Sequence, residues 1–77
     1  MTLLETKTGE WYCVKGISEA ENVQRRLEAL GILEGTRIEV LNRKNTGATI
    51  IRVRGTRWAL GKEIALGIEV EEYHEKG

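Results

Sequence analysis

Two stretches constrain this chain most: L-E-A-L-G-I-L-E-G over residues 27–35 and V-R-G-T-R-W-A-L-G-K-E-I-A-L-G-I-E-V over residues 53–70. The first closes an amphipathic helix. Ala20, Val23, Leu27 and Leu30 recur at 3-4-3 spacing and make one apolar stripe. Gly31 follows the last periodic residue, where a helix takes a left-handed C′ position, and Ile32 falls where a Schellman motif packs back on Leu27. The second stretch alternates with the period of strands and is punctuated by glycine. A helix stopped at a glycine and followed by a β-meander predicts a small barrel that binds something. It leaves no room for an active site.

The flanking residues extend this reading. Residues 1–9 are polar apart from Leu3 and Leu4 and predict a leading loop or edge strand. Residues 10–16 alternate, with Tyr12 and Val14 on one face and Trp11, Cys13 and Lys15 on the other, which predicts a strand. Ser18 stands three residues before Glu21 and predicts a capping box, in which each side chain satisfies a backbone N–H of the other. Glu21 and Arg25 form an i,i+4 pair on that helix. After Gly35, residues 36–43 place Ile38 and Val40 inward, and residues 44–47 form a loop. Residues 48–54 place Thr49, Ile51 and Val53 on one face, with Ile50, Arg52 and Arg54 on the other. Gly55-Thr56 predicts a two-residue type II′ hairpin, Trp58 and Leu60 share a face, and residues 62–66 suffice for one helical turn. Ile68 and Val70 close the sheet, and the charged residues 71–77 are expected to fray. The fold class is mainly β with one α-helix: a partly open SH3-like β-barrel of about five strands plus one short helical turn.

With 77 residues, the chain makes one small domain whose core is only just sufficient. Twelve basic and twelve acidic residues leave no net charge, so nothing global attracts nucleic acid or anionic lipid. The distribution is uneven. Residues 40–62 hold six basic residues (Arg43, Lys44, Arg52, Arg54, Arg57, Lys62) and no acid, whereas residues 63–77 hold five acids and one lysine. Such a surface dipole orients a partner even where net charge does not attract one. A single cysteine, no leading apolar run and no stretch of membrane-spanning length predict a reducing, cytoplasmic setting.

Order and spacing together carry a resemblance. Leu3, Gly9, Val14, Leu27, Leu30, Gly31, Gly35, Val53, Gly55, Ala59, Leu60, Ala65, Ile68 and Val70 fill a pattern similar to that of the FeoA family. These are small cytosolic proteins that accompany the FeoB ferrous-iron permease. The resemblance spans nearly the whole chain. It departs at Glu34, where a proline is common in the second turn, and at Gly61, where a basic residue often follows the Ala-Leu pair. The same barrel resembles the C-terminal domain of iron-dependent repressors of the diphtheria-toxin type, and fold alone does not fix function.

Chemistry-bearing residues are few. His74 lies in the charged end with no partner in the pattern, Cys13 alternates with core positions, and Ser18 is explained as a cap, so no catalytic residue is assigned. A transition-metal site needs three or four converging ligands, and here one Cys and one His stand 61 positions apart. Glu71, Glu72, His74 and Glu75 cluster, but such a run is more often a solvated tail that touches divalent ions weakly. Neither a metal site nor a cofactor is therefore assigned. Gly55 and the Gly61-Lys62 pair do not form a phosphate loop: five residues separate the glycines and Glu63 replaces the required Ser or Thr. Trp58 between Arg57 and Lys62 is the one feature suggesting nucleic acid, and its shared face with Leu60 favours a core role.

The resemblance implies a non-enzymatic accessory of ferrous-iron transport that docks on the cytosolic part of a FeoB-type permease, without membrane insertion and without nucleic acid. The alternatives are a metal-responsive regulatory module of repressor type and a small nucleic-acid-binding barrel. Arg52, Arg54, Arg57 and Arg43 are the candidate partner-binding residues. A Gly55-Thr56 turn makes Arg54 and Arg57 direct neighbours, and arginines so placed repel unless something acidic covers them.

Overall fold

The fold is described by a computed structural model covering residues 1–74. The alternation near the start becomes β1 (Trp11–Ile17), which buries Tyr12 and Val14 and turns Trp11 and Lys15 to solvent. β2 (Arg37–Arg43), β3 (Thr49–Val53), β4 (Thr56–Leu60) and β5 (Ile68–Glu72) follow, with α1 (Glu21–Ala29) between β1 and β2 and α2 (Lys62–Leu66) between β4 and β5. All pairings are antiparallel, and the strand order is β4-β3-β2-β1-β5. The two ends of that order do not pair, so the barrel is partly open as expected.

Curvature comes from two register shifts. One falls between Val14 and Gly16 on β1 and the other between Val40 and Asn42 on β2. An extra residue on one strand bends it and increases its twist. The sheet thus wraps around one core. Tyr12, Val14, Ile38, Val40, Ile51, Val53, Leu60, Ile68 and Val70 enter from the strands. Leu27 and Ala65 come from the helices, and Leu3 and Ile32 from the connections. Trp58 packs on this core from β4 and is half-buried, as its shared face with Leu60 predicts.

The helix end is as the sequence predicts. Gly31 has φ of +90°, its N–H donates to the Glu28 carbonyl at 2.9 Å, and the Ile32 N–H donates to the Leu27 carbonyl at 2.8 Å. Those two bonds satisfy carbonyls that a helix end leaves open.

The other end differs. Ser18 does not cap α1. Its backbone N–H donates to the Gly67 carbonyl at 2.7 Å, which ties residue 18 to the start of β5. The helix therefore begins two residues later with Ala20 as N-cap, and no side chain caps it. Ala20 is exposed and leaves the apolar stripe, while Val23, Leu27 and Leu30 remain in it. Gln24 donates instead to the Glu19 carbonyl at 3.0 Å, and a Cβ on Gly67 would fall 2.7 Å from the Ser18 carbonyl oxygen.

The leading segment is a 3-10 turn, Leu3–Glu5, rather than an edge strand. Thr2 bridges Glu69, and the Val70 N–H donates to the Met1 carbonyl at 2.8 Å, so residues 1–2 cover the outer edge of β5. At the far end, Glu71 and Glu72 pair with Cys13 and Tyr12, and the Tyr73 N–H donates to the Trp11 carbonyl at 3.1 Å. The acidic run thus enters the sheet at its first residues; residues 75–77 lie outside the described residues.

The hairpin between β3 and β4 is also not the expected one. Val53 opposes Thr56 and Arg52 opposes Arg57, which leaves Arg54 and Gly55 as the turn, at φ of +51° and +82°. Two positive φ values make the pattern of a type I′ turn. The reason lies at the other end of the strands. A Gly55-Thr56 turn would set Thr49 opposite Lys62, which starts α2. The observed register gives all five residues of β3 a partner within β4.

Candidate docking cleft

The outer face of the sheet is built from the positions that alternate with the core. Cross-strand partners there run Trp11–Glu39–Arg52–Arg57 across β1, β2, β3 and β4. Arg52 Nη1 donates to Glu39 Oε1 at 3.0 Å, so one guanidinium of the row is paired within the chain. Arg54 and Arg57 make no ion pair among the described residues.

Above this row lies a cleft of about 720 Å³. Trp11, Leu33 and Tyr73 supply its apolar surface, and Arg37, Arg52 and Arg54 supply its charge. Trp11 is 44% exposed and Leu33 38%, although both are large apolar side chains. The Arg37 guanidinium sits 5.1 Å from the centroid of the Tyr73 ring, a cation–π distance, and its Nη1 donates to the Tyr73 hydroxyl at 2.8 Å. Arg54 enters from the turn, where its side chain lies beside the backbone of Gly31: a Cβ there would stand 3.5 Å from Arg54 Cδ. The helix C′ glycine and the hairpin turn are thus in contact, and the cleft sits beside that junction.

Of the four arginines expected to form a docking face, the structure brings together three. Arg52 and Arg57 are direct cross-strand neighbours, and Arg54 occupies the turn next to them. Arg43 is engaged inside the fold. Its Nη1 donates to the Thr6 carbonyl, and its Nη2 donates to the Leu3 carbonyl and the Thr6 hydroxyl, each at 2.8 Å. It ties down the leading 3-10 turn, adding to the bond by which the Thr6 hydroxyl donates to the Leu3 carbonyl at 2.6 Å.

Trp11, Tyr73 and Arg37 were not among the sequence candidates. Trp11 carried a signal, since a tryptophan on the solvent side of an alternating strand is rarely there for the core. Tyr73 and Arg37 are 36 positions apart, and only the pairing of β5 with β1 and of β1 with β2 brings them together.

Cys13 and His74 do not form a common site. Cys13 stands opposite Arg37 and Glu71, and His74 Nε2 lies 3.2 Å from Glu72 Oε2 on the exposed surface. Among the described residues no three His, Cys, Asp or Glu side chains gather as ligands, and Glu75 lies outside them. No helix among the described residues is long and apolar enough to cross a membrane.

The FeoA domain family matches residues 1–72. The chain belongs to the FeoA family. An assigned Fe(2+) transport protein A of Methanocaldococcus jannaschii is 35% identical over 66 residues, covering 86% of this chain and 79% of that protein. The FeoA protein of Chlorobium tepidum has the same fold at a TM-score of 0.89 and 27% identity, over 100% of this chain and 74% of that one. The FeoA of Stenotrophomonas maltophilia, solved with zinc and described as a prokaryotic SH3 domain protein, matches at a TM-score of 0.78 and 26% identity. That match covers 92% of this chain and 89% of the relative. The fold also recurs in ScaR, solved with bound zinc, at a TM-score of 0.84, though this chain spans only 37% of it. The chain is therefore an iron-transport-related SH3-like protein, and its fold is shared with larger metal-binding proteins.

Proposed function

We propose that this FeoA-family chain acts in the cytoplasm as a non-enzymatic accessory of ferrous-iron uptake by docking on the cytosolic part of a FeoB-type permease. Arg52, Arg54 and Arg57 form part of the docking face. The observation that supports this most is the arginine cluster on the β3–β4 hairpin. Two arginines stand directly opposite one another and a third stands in the turn, with Glu39 the carboxylate that answers one of them. Like charges facing across a strand pair are unfavourable unless a partner neutralises them. Arginine suits a carboxylate partner because its planar fork donates two parallel hydrogen bonds. Energy for transport comes from the permease and its nucleotide chemistry. Transition metal enters this reading only as a weak contact of the exposed Glu72–His74 pair.

The test is binding of the immobilised cytosolic region of the permease by wild type and by the double variant Arg54→Glu/Arg57→Glu. Both side chains are exposed, so the variant is expected to keep its circular dichroism spectrum. Affinity at low salt should fall about tenfold or more, with much of the loss in the association rate, because charges at an interface steer encounter. A folded double variant that binds as wild type does would place the docking face elsewhere.

A further inference from the structure

The cleft beside the arginine cluster adds chemistry that charge alone does not explain. We propose that it receives an extended acidic segment of the partner protein. One bulky apolar side chain of that segment sits against Trp11 and Leu33, and its flanking carboxylates meet Arg37 and Arg54. This deepens the docking reading above and rests on it for the identity of the partner, though not for the existence of the site.

Several observations converge. The volume, about 720 Å³, is in the range of sites that hold small ligands or a few residues of peptide. Trp11 and Leu33 leave apolar surface in water at its wall, which is the place for an anchor side chain. Arg37 is held beside the Tyr73 ring and by its hydroxyl, so the guanidinium is already placed at the cleft. Three arginines line the cleft; Glu39 answers Arg52 and Glu34 is the one lining acid, which leaves Arg37 and Arg54 without an ion pair among the described residues. A basic or neutral segment would leave that charge unanswered.

Arg54 is the sharpest point. A type I′ turn favours Asn, Asp or Gly where φ is positive, and here the first turn residue is arginine at φ of +51°. An arginine in the left-handed region is backbone strain accepted at a position where other residues would fit better. Such strain is found where a side chain is needed for something other than the fold. The direction in which this turn sends the side chain is along Gly31 and into the cleft wall.

Aromatic and arginine side chains together also suit single-stranded nucleic acid. The charge pattern favours the peptide. A phosphate backbone needs an uninterrupted basic track, and here Glu39 stands between Trp11 and Arg52, while Glu34 lies in the cleft wall. A peptide with two or three spaced carboxylates tolerates those gaps.

The experiment follows Trp11 fluorescence in a Trp58→Phe background, which silences the half-buried tryptophan. The probes are the capped hexapeptides Glu-Asp-Leu-Leu-Asp-Glu and Lys-Arg-Leu-Leu-Arg-Lys, and an oligothymidine of eight nucleotides. The expected result is saturable one-to-one binding of the acidic peptide with a blue shift of Trp11. The basic peptide and the oligonucleotide should bind at least tenfold more weakly. Arg54→Asn should lose at least tenfold in peptide affinity while melting at or above the wild-type temperature, since Asn-Gly is a better type I′ turn than Arg-Gly. That combination separates a binding role from a structural one. Equal binding of both peptides, preference for the oligonucleotide, or full affinity in Arg54→Asn would each overturn the proposal. The cytosolic region of the permease is titrated in parallel. Peptide binding without permease binding refutes the partner but keeps the cleft; permease binding without peptide binding refutes the cleft but keeps the partner.

Discussion

Gly31 does two things at once, and each has a different energetic signature. Its φ of +90° lets α1 end in a Schellman motif, and its backbone is the surface against which the Arg54 side chain lies. A Cβ built there would meet Arg54 Cδ at 3.5 Å and Val53 Cγ1 at 3.7 Å, which is ordinary contact. Backbone conformation, not a clash, therefore dominates the effect of Gly31→Ala, at about 1 kcal/mol. Gly31→Val adds two γ-methyls towards Arg54 and Val53 and a β-branched residue at positive φ, for about 2 kcal/mol or more. In a domain of this size that is a drop in melting temperature of roughly 8–16 °C. Thermal unfolding of the pair separates the two contributions, and an unchanged melting temperature for Gly31→Val would remove the C-cap assignment. This position was legible in the sequence because a Leu-Gly-hydrophobic ending is a local signal. Arg54 was not, because its conformation is decided by how far β4 extends before α2.

The elements that the sequence predicts well are those in which local and long-range demands agree. β1, β2 and β3 show their period of two and bury the residues that alternation assigns to the core. Disagreement appears at the junctions. Ser18 and Glu21 have the spacing of a capping box, yet the pairing of Ser18 with Gly67 delays the helix start. Arg43 reads as one more basic residue on a strand exterior, yet its guanidinium holds the leading 3-10 turn in place from 37 and 40 positions away. Tertiary contacts of that kind leave no trace in spacing. The assignment has a direct consequence. Arg43→Ala deletes three hydrogen bonds from a charged donor and leaves the Leu3 and Thr6 carbonyls without that partner. The expected loss is about 2–3 kcal/mol of stability. Amide exchange should rise first in residues 2–6 and at Val70, whose N–H donates to Met1. Docking on the permease should be unaffected in the folded fraction. A loss of docking without a loss of stability would return Arg43 to the binding face.

Taken as one object, the molecule separates its charges in space as it does along the chain. The β3–β4 hairpin carries Arg52, Arg54 and Arg57, while β5 carries Glu69, Glu71 and Glu72 at the opposite end of the strand order. The acidic end is where a divalent metal would first be sought, and a relative has been solved with zinc. Its groups are already partly engaged here. Glu69 lies 2.6 Å from the Met1 ammonium, Glu71 3.5 Å from Lys15 Nζ, and Glu72 3.2 Å from His74. Each is an exposed pair of small energetic worth, so competition from these partners is weak. The decisive shortfall is in ligand number. A tight Zn(II) site needs about four converging donors. Among the described residues Glu72 and His74 supply two, while Cys13 lies across from Glu71 in another row of the sheet. Calorimetric titration of untagged protein with Zn(II) at neutral pH should therefore show only weak, non-stoichiometric heat. One-to-one micromolar binding abolished by His74→Ala or Cys13→Ser would mean that these residues come together in solution in a way the sheet register does not provide. The same titration repeated with the permease region bound extends the argument. A site completed by ligands from the partner would appear only in the complex, and its loss in His74→Ala would identify the acidic end, not the arginine hairpin, as the side that meets iron.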